Sequence, residues 1–129
     1  MKQYDQFHDG RLEGLRIDGE TVHVYLTTLE KEKFVAVADG VVALDANGFR
    51  AGNIILSVST RNGEEIVVAD IQELYELRNG HAGEDQANNL LSKAQQGKLT
   101  LLEITPSYGA GCLVLAKSVR FLTESSEPQ

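Results

Sequence analysis

The most apolar part of the chain, residues 99–122, sets the predicted architecture. Leu99–Ile104 is a short aliphatic run that ends near Pro106, a residue that cannot donate to a strand ladder. Cys112–Leu122 is apolar on both faces at first and alternates with polar residues from Lys117 on. The pattern predicts two strands joined by the loop 106–111, the second starting inside a sheet and ending at its margin.

A hairpin is predicted near the start of the chain. Arg11–Ile17 and Glu20–Leu29 flank Asp18-Gly19, a dipeptide that two-residue turns favour. Centred there, the turn places Ile17 opposite Glu20. The face predicted to be buried carries Leu15, Ile17, Val22, Val24 and Leu26. The other face carries Leu12, Arg16, Thr21, His23 and Tyr25, with Gly14 opposite His23.

The middle of the strand region allows two interpretations. Asp39-Gly40 divides residues 34–45 into a second hairpin, or Gly40 forms a bulge in one long strand. Residues 45–48 then form a turn that contains Asp45 and Asn47. The strand 53–60 follows, and its alternation predicts that Ile54, Leu56 and Val58 face inward while Ser57 and Ser59 face water.

Two helices are predicted next. Asp70 and Glu73 have the spacing of a capping box, with Ile71, Leu74, Tyr75 and Arg78 on one face and Asn79-Gly80 as the stop. The second helix extends from about Glu84 to Gln96, before Gly97. Its apolar face consists of Ala87, Leu90, Leu91 and Ala94, at positions i, i+3, i+4 and i+7.

Together these elements predict an α+β fold in a single domain, residues 1–129. It consists mainly of an antiparallel β-sheet of about six or seven strands, which can curve strongly, with two short consecutive α-helices inserted before the last two strands. The lead-in, residues 1–9, and the tail, residues 123–129, are polar and expected to be partly frayed.

Composition narrows the function classes. The net charge of −7, with basic residues scattered along the chain, argues against nucleic-acid binding unless Arg11, Arg16, Lys117 and Arg120 prove contiguous in space. No run is long and apolar enough for a membrane helix, and residues 1–10 have no apolar segment of a secretory signal. The single Cys112 suits a reducing compartment. These features predict a cytoplasmic protein without a membrane partner.

Three pairs of residues are candidates for a ligand or partner site. His8-Asp9 has too few companions for a metal site, so a structural role, in which one of them fixes the lead-in against the first hairpin, is the simpler interpretation. His23 and Tyr25 share the less buried hairpin face, where an imidazole could exchange protons but has no nucleophile in register. Ser107-Tyr108 lies among glycines without a nucleophile-elbow motif, so these two are expected to be structural residues.

Other polar groups have ordinary interpretations as well. Cys112 begins an apolar run, where burial makes a thiol unreactive. Asp39, Asp45 and Asn47 lack the spacing of a calcium loop. The acidic helical segment is a solvated face or a docking surface for a basic partner. No catalytic residue, metal or cofactor is predicted.

Phe7-His8-Asp9-Gly10, the following hairpin and Gly52-Asn53-Ile54-Ile55 resemble segments of small uncharacterised bacterial β-rich proteins. Some of those resemble immunity proteins of contact-dependent toxin systems, which bind a toxin without catalysis. The resemblance covers residues 7–29 and 48–56. It favours a non-enzymatic protein-interaction module, acting on a protein partner or as a homo-oligomer. The alternative is a small-molecule binder or small enzyme with a pocket between the 106–112 loop and the 11–29 hairpin.

Overall fold

The computed structural model describes residues 1–76 and 81–124. Its strands are β1 (Lys2–Gln3), β2 (Arg11–Asp18), β3 (Thr21–Thr27), β4 (Lys33–Asp39), β5 (Ala43–Asn47), β6 (Ile54–Asn62), β7 (Thr100–Tyr108), β8 (Gly111–Ala116) and β9 (Ser118–Thr123). The helices are α1 (Val68–Leu74) and α2 (His81–Gln96), and short 3₁₀ turns span Asp5–Phe7 and Gly63–Glu65. The α+β class and the mainly antiparallel sheet are confirmed, with nine strands in the described residues instead of six or seven.

All described strand pairs are antiparallel, in the order β5-β8-β7-β6-β2-β3-β4-β9, with β1 on β6. Only Lys117 separates β8 from β9 along the chain. Their partners, β5 for β8 and β4 for β9, are also consecutive along the chain. Because these consecutive strands occur near opposite ends of the order, the sheet curls around its core. The hairpin interpretation of residues 34–45 is therefore wrong: β4 pairs with β9 and β5 with β8, with a corner at Gly40, where φ is 64°.

The first hairpin forms, but its register differs from the predicted one. Asp18 pairs with Thr21, so the two turn residues are Gly19 and Glu20, and Gly19 has φ of 61° as in a type II′ turn. Ile17 consequently lies opposite Val22. Val22 is buried, whereas Ile17 is 63% exposed. A bulge at Glu13 also reverses the alternation, which moves Leu12 to the buried side opposite Leu26.

The alternation predicted for β6 is only partly right, for the same kind of reason. Its pairing with β7 shifts register around Leu56, which becomes an extra, exposed residue. Val58 faces the core as predicted, but Ile55 does so in place of Leu56, and Ser59 is buried. Asp45 and Asn47, predicted in a turn, belong to β5.

Both helices begin about three residues before their predicted starts. Asp70 is not the N-cap but the third residue of α1, where its carboxylate accepts a hydrogen bond from the Val67 N–H at 2.9 Å. α2 includes His81, which was predicted in a connecting loop. Its predicted apolar face is confirmed, with Ala87 and Ala94 fully buried. Arg78 and Asn79-Gly80, and the tail beyond Glu124, lie outside the described residues.

Three strands follow the helices instead of two. The predicted strand 112–122 is interrupted at Lys117, which divides it into β8 and β9. The preceding strand does not stop at Pro106 but continues to Tyr108. Pro106 is accommodated because it lies opposite Ile55, where β6 bulges.

The sheet has a core on each side. The interior core, enclosed by the curl, includes side chains of β2, β3, β4, β6, β7 and β8. The N-terminal segment contributes to it, because Phe7 is fully buried and packs edge-on against Phe34, with ring centroids 5.3 Å apart. The second core lies between the helices and the outer face of β7 and β8, where Leu101 and Leu115 meet Ile71 and Ala87.

An ion-pair network ties α1 to the sheet. Arg61 donates two hydrogen bonds of 2.7 Å to the carboxylate of Asp70 and a third of 3.1 Å to Glu103. The hydrogen bonds to Asp70 raise the pKa of the Arg61 guanidinium above its ordinary value. Because all three side chains are half-buried or more deeply placed, the network fixes where the helical layer sits on β6 and β7.

Candidate functional site

His8 and Asp9 join the N-terminal 3₁₀ turn to β2. The Nδ1 of His8 lies 2.8 Å from the carbonyl oxygen of Leu56, and its Nε2 lies 3.5 Å from Asp9 Oδ2. A protonated Nδ1 donates the first of these bonds, which fixes the segment on β6 and not on the first hairpin. Both side chains are more than half exposed. Asp9 adopts φ of 62°, which turns the chain into Gly10 and β2.

His23 and Tyr25 lie on the outer face of β3. Their rings are stacked, with centroids 6.4 Å apart and an interplanar angle of 15°. The shifted hairpin register places Arg16, not Gly14, opposite His23, and the Arg16 guanidinium lies 3.4 Å from His23 Nε2. Gly14 lies opposite Tyr25. His23 therefore shares a cross-strand row with Arg16, and Tyr25, not His23, lies across from the glycine.

Ser107 and Tyr108 belong to β7 and not to a glycine-rich loop. The Ser107 hydroxyl lies 3.4 Å from the carbonyl oxygen of Ile54, and Tyr108 is 53% exposed opposite the same residue. Cys112 is 4% exposed, and burial, with a smaller contribution from Asp45, raises the pKa of its thiol to about 12. At neutral pH this thiol is protonated and a poor nucleophile.

The structure does not bring the six candidate residues into one cleft. Tyr25 and Asp9 line one recess, His8 lines a second, smaller one beside Tyr4 and Leu56, and the remaining three candidates line neither of these. A third recess of about 230 Å³ lies between α1 and β7 and is acidic. There, burial raises the pKa of the Glu73 carboxyl, reinforced by the charges of Asp45 and Glu103. Among the described residues, no three His, Cys, Asp or Glu side chains are grouped as a metal site requires.

The first of these recesses, here called the hairpin cleft, has a volume of about 980 Å³ and lies at the open end of the β2–β3 hairpin. Its apolar lining includes Tyr25, Leu29 and Ile54, and Leu29 is 67% exposed. Side chains of both charges line it. The cationic ones are Arg11, Lys31 and Lys33, and the acidic ones are Asp9, Glu13 and Glu124.

The hairpin cleft is shaped by the chain turn before β2 and by the turn after β3, which both lie at the open end of the hairpin. Gly10 packs so closely on the Thr27 carbonyl oxygen that a β-carbon at Gly10 would overlap it. The β3–β4 turn is closed by the Glu32 N–H, which donates to the Thr28 hydroxyl at 3.0 Å, and Lys31 has φ of 70°. The hairpin prediction indicates only that the start of β2 lies near the end of β3. The predicted register places Leu26 opposite Arg11, whereas the structure places Thr27 there.

The basic residues of the outer face are not collected into one patch. Arg16 and Arg120 flank His23 and Val37 in one cross-strand row, but Arg120 also lies 3.5 Å from Asp39. Arg11 lines the hairpin cleft, at the other end of β2. The contiguous basic surface that would favour nucleic-acid binding is therefore divided by carboxylates.

Comparison with protein-family models, with curated proteins and with solved structures gave no match. In the described part of the chain, neither helix combines the length and apolar character that crossing a bilayer requires.

Proposed function

We propose that the chain is a non-enzymatic protein-interaction module that binds a protein partner through the hairpin cleft. The observation that carries the proposal is the composition of the cleft. Exposed Leu29 and the ring of Tyr25 supply apolar contact area, and cationic and carboxylate side chains both line the same cleft. A protein surface presents both signs of charge beside apolar side chains, whereas a nucleic acid presents a single sign.

The spread of the candidate residues supports the same proposal. An acid–base or nucleophilic mechanism needs its groups within hydrogen-bond reach of one reacting atom. His8 and His23 line different parts of the surface, and the Cys112 thiol is buried with its pKa raised to about 12.

The resemblance to bacterial β-rich proteins enters here as part of the proposal. The segments that carry it, residues 7–29 and 48–56, contain ten of the residues that line the hairpin cleft, from Asp9 to Leu29 and Ile54. If the resemblance reflects a shared binding mode, the partner is a protein such as a toxin, bound in the cytoplasm.

Site-specific photo-cross-linking tests this function. A benzophenone amino acid is placed at Leu29 in the cleft and, as a matched control, at Val67, which is 49% exposed beside α1. We expect the Leu29 position to cross-link a distinct protein in the source cells and the Val67 position not to do so. Equal cross-linking at both positions, or none at Leu29, would contradict the proposal.

Binding by the purified partner then gives a quantitative test. Leu29→Lys is expected to weaken its affinity by at least about tenfold, because a charge replaces apolar contact area in the cleft. Val67→Lys, which makes the same change outside the cleft, is expected to leave the affinity within about twofold. Isothermal titration calorimetry measures both.

A small-molecule binder is the second candidate, because the volume of about 980 Å³ is within the range of ligand sites. The predicted pocket included Ser107 and Tyr108, whereas neither of these residues lines the hairpin cleft. A thermal-shift screen with metabolites distinguishes the two functions: a ligand that raises the melting temperature of the wild type but not of Leu29→Lys favours this candidate.

A further inference from the structure

Within residues 1–76 and 81–124, β2 has an open edge next to the hairpin cleft. On one side β2 pairs with β3 along its whole length, but on the other it pairs with β6 only at Arg11 and Ile54. The Leu12 N–H adds one bond of 3.1 Å to the Asn53 carbonyl oxygen. Beyond the bulge at Glu13, no strand in residues 1–76 or 81–124 pairs with this side of β2.

The hairpin register identifies the backbone groups on that edge. In an antiparallel pair, residues alternate between those that bond to the partner strand and those whose N–H and C=O point away. Asp18 and Thr21 close the two-residue turn and bond to each other, and Arg16 follows with the same orientation. The N–H and C=O groups of Leu15 and Ile17 consequently point outward, away from β3.

Two other places along the sheet have a neighbouring element. α1 lies beside β5, and β1 pairs with the end of β6. Natural sheets protect their edges in this way, because an uncovered row of donors and acceptors recruits another strand. The β2 edge combines that row with Ile17, which is 63% exposed.

The side chains along the edge define what a strand added there must present. Leu15 and Ile17 point to the core side, where Leu15 packs against the interior core. Arg16 lies between them on the outer face, opposite His23. An antiparallel strand places apolar residues opposite Leu15 and Ile17 and one residue directly opposite Arg16, where a carboxylate is favoured.

A second copy of the chain fits this edge poorly. The two-fold pairing that aligns Leu15 with Ile17 places Arg16 directly opposite its own copy, and like charges opposite each other destabilise a sheet. Moving the register toward the turn places Arg16 opposite Asp18, but this pairing is limited to residues 16–18, because Leu15 then faces Gly19, whose φ of 61° is not that of a strand. Moving it away from the turn places Ile17 opposite the carboxylate of Glu13. The edge therefore suits a different polypeptide.

We infer that the β2 edge, residues 14–18, binds an extended segment of a partner protein by antiparallel strand addition, with the pattern apolar–acidic–apolar. This inference rests on the proposed function and specifies how the partner is held. Main-chain hydrogen bonds to Leu15 and Ile17 supply affinity, and the residue opposite Arg16 supplies selectivity.

Ile17→Pro is a selective test. The Ile17 N–H points away from β3, so proline at this position preserves the hairpin bonds but removes an outward donor. Ile17→Lys is a second edge variant that keeps the N–H and adds a charge of the kind that protects natural edges. Val67→Lys is the matched surface control, and circular dichroism checks that each variant is folded.

The probes are a seven-residue peptide with Val-Glu-Ile at its centre, flanked by threonines, and its counterpart with Val-Lys-Ile. We expect the Glu peptide to slow exchange of the Leu15 and Ile17 amide hydrogens by about tenfold or more at saturation. Ile17→Pro and Ile17→Lys should each weaken binding by about tenfold, and Arg16→Glu should reverse the preference between the peptides. Val67→Lys should bind as the wild type does.

The inference is overturned if the Glu peptide does not bind, if it binds Ile17→Pro as tightly as the wild type, or if Glu and Lys peptides bind equally. Loss of a wild-type dimer in Ile17→Pro, seen by sedimentation equilibrium, would also overturn it in favour of a second copy. A partner that cross-links at Leu29 and binds Ile17→Pro unchanged would leave the proposed function standing and refute only strand addition.

Discussion

Asn53 joins three segments of the chain, and we predict that Asn53→Ala destabilises the fold by about 3 kcal/mol. Its Oδ1 accepts hydrogen bonds from the Arg50 N–H at 2.7 Å and the Ala110 N–H at 3.0 Å. Its Nδ2 donates to the Leu12 carbonyl oxygen at 3.3 Å. The side chain thereby links the loop before β6, the start of β2 and the β7–β8 turn.

The magnitude follows from burial. Asn53 is 6% exposed, and Leu12 and Ala110 are each 1% exposed, so alanine leaves two polar backbone groups without a partner away from water. Each such group costs roughly 1–3 kcal/mol. Arg50 is exposed, so its N–H can bond to water and adds little.

Urea denaturation of the wild type and Asn53→Ala measures the loss, with equal m-values showing that both unfold from equally compact states. Asn47→Ala is the matched control: it removes one exposed side-chain bond to Asp45, of 3.3 Å, and should cost less than about 0.5 kcal/mol. Amide exchange at Ala110 should accelerate in Asn53→Ala alone. A loss below about 1 kcal/mol with unchanged exchange at Ala110 would refute the reasoning.

Three further outcomes follow from buried or crowded groups. Asp70→Ala should lower the free energy of unfolding by about 3 kcal/mol, because it removes two 2.7 Å bonds to Arg61 and the N–H bond at the start of α1; chemical denaturation measures this. In the folded protein Cys112 stays protonated up to a pH of about 12, whereas the unfolded thiol ionises above its ordinary pKa of 9.0. The free energy of unfolding should therefore fall as the pH rises from 9 toward 12, by about 1.4 kcal/mol per pH unit. Cys112→Ala should abolish that part of the pH dependence in denaturation series. Gly10→Ala should prevent the close approach to Thr27 and lower the melting temperature by several degrees or more in thermal unfolding.

Matched variants separate these effects from general ones. Glu84→Ala removes an exposed acid from the first turn of α2 and should cost well under 1 kcal/mol. Gly14→Ala adds a methyl group where nothing lies within 4 Å, so it should leave the melting temperature nearly unchanged. Stability losses equal to those of Asp70→Ala or Gly10→Ala would contradict the structural explanation. A slope above pH 9 that persists in Cys112→Ala would show that another group causes it.

The candidate site was predictable only in part. The hairpin was evident from Asp18-Gly19, although its turn residues proved to be Gly19 and Glu20. A hairpin brings the start of β2 near the end of β3, which places the hairpin cleft. Its other walls come from Ile54 and Glu124, far along the chain, and no local pattern specifies that they meet there. Tyr25 and Asp9 were predicted site residues that do line the cleft, whereas Ser107 and Tyr108 proved to be strand residues elsewhere.

Sequence periodicity by itself determined the α+β class, the antiparallel first hairpin and the buried face of α2, because those depend on contacts between residues close in the chain. The tertiary structure decided which residues of β2 and β6 face inward, since single-residue bulges at Glu13 and Leu56 reverse the alternation and leave no signature in the pattern. It also decided that β4 and β5 pair with β9 and β8 instead of with each other. Those pairings depend on strands that meet only when the sheet curls around its core. They also leave one edge of β2 without a neighbouring strand in the part of the chain that the structure describes.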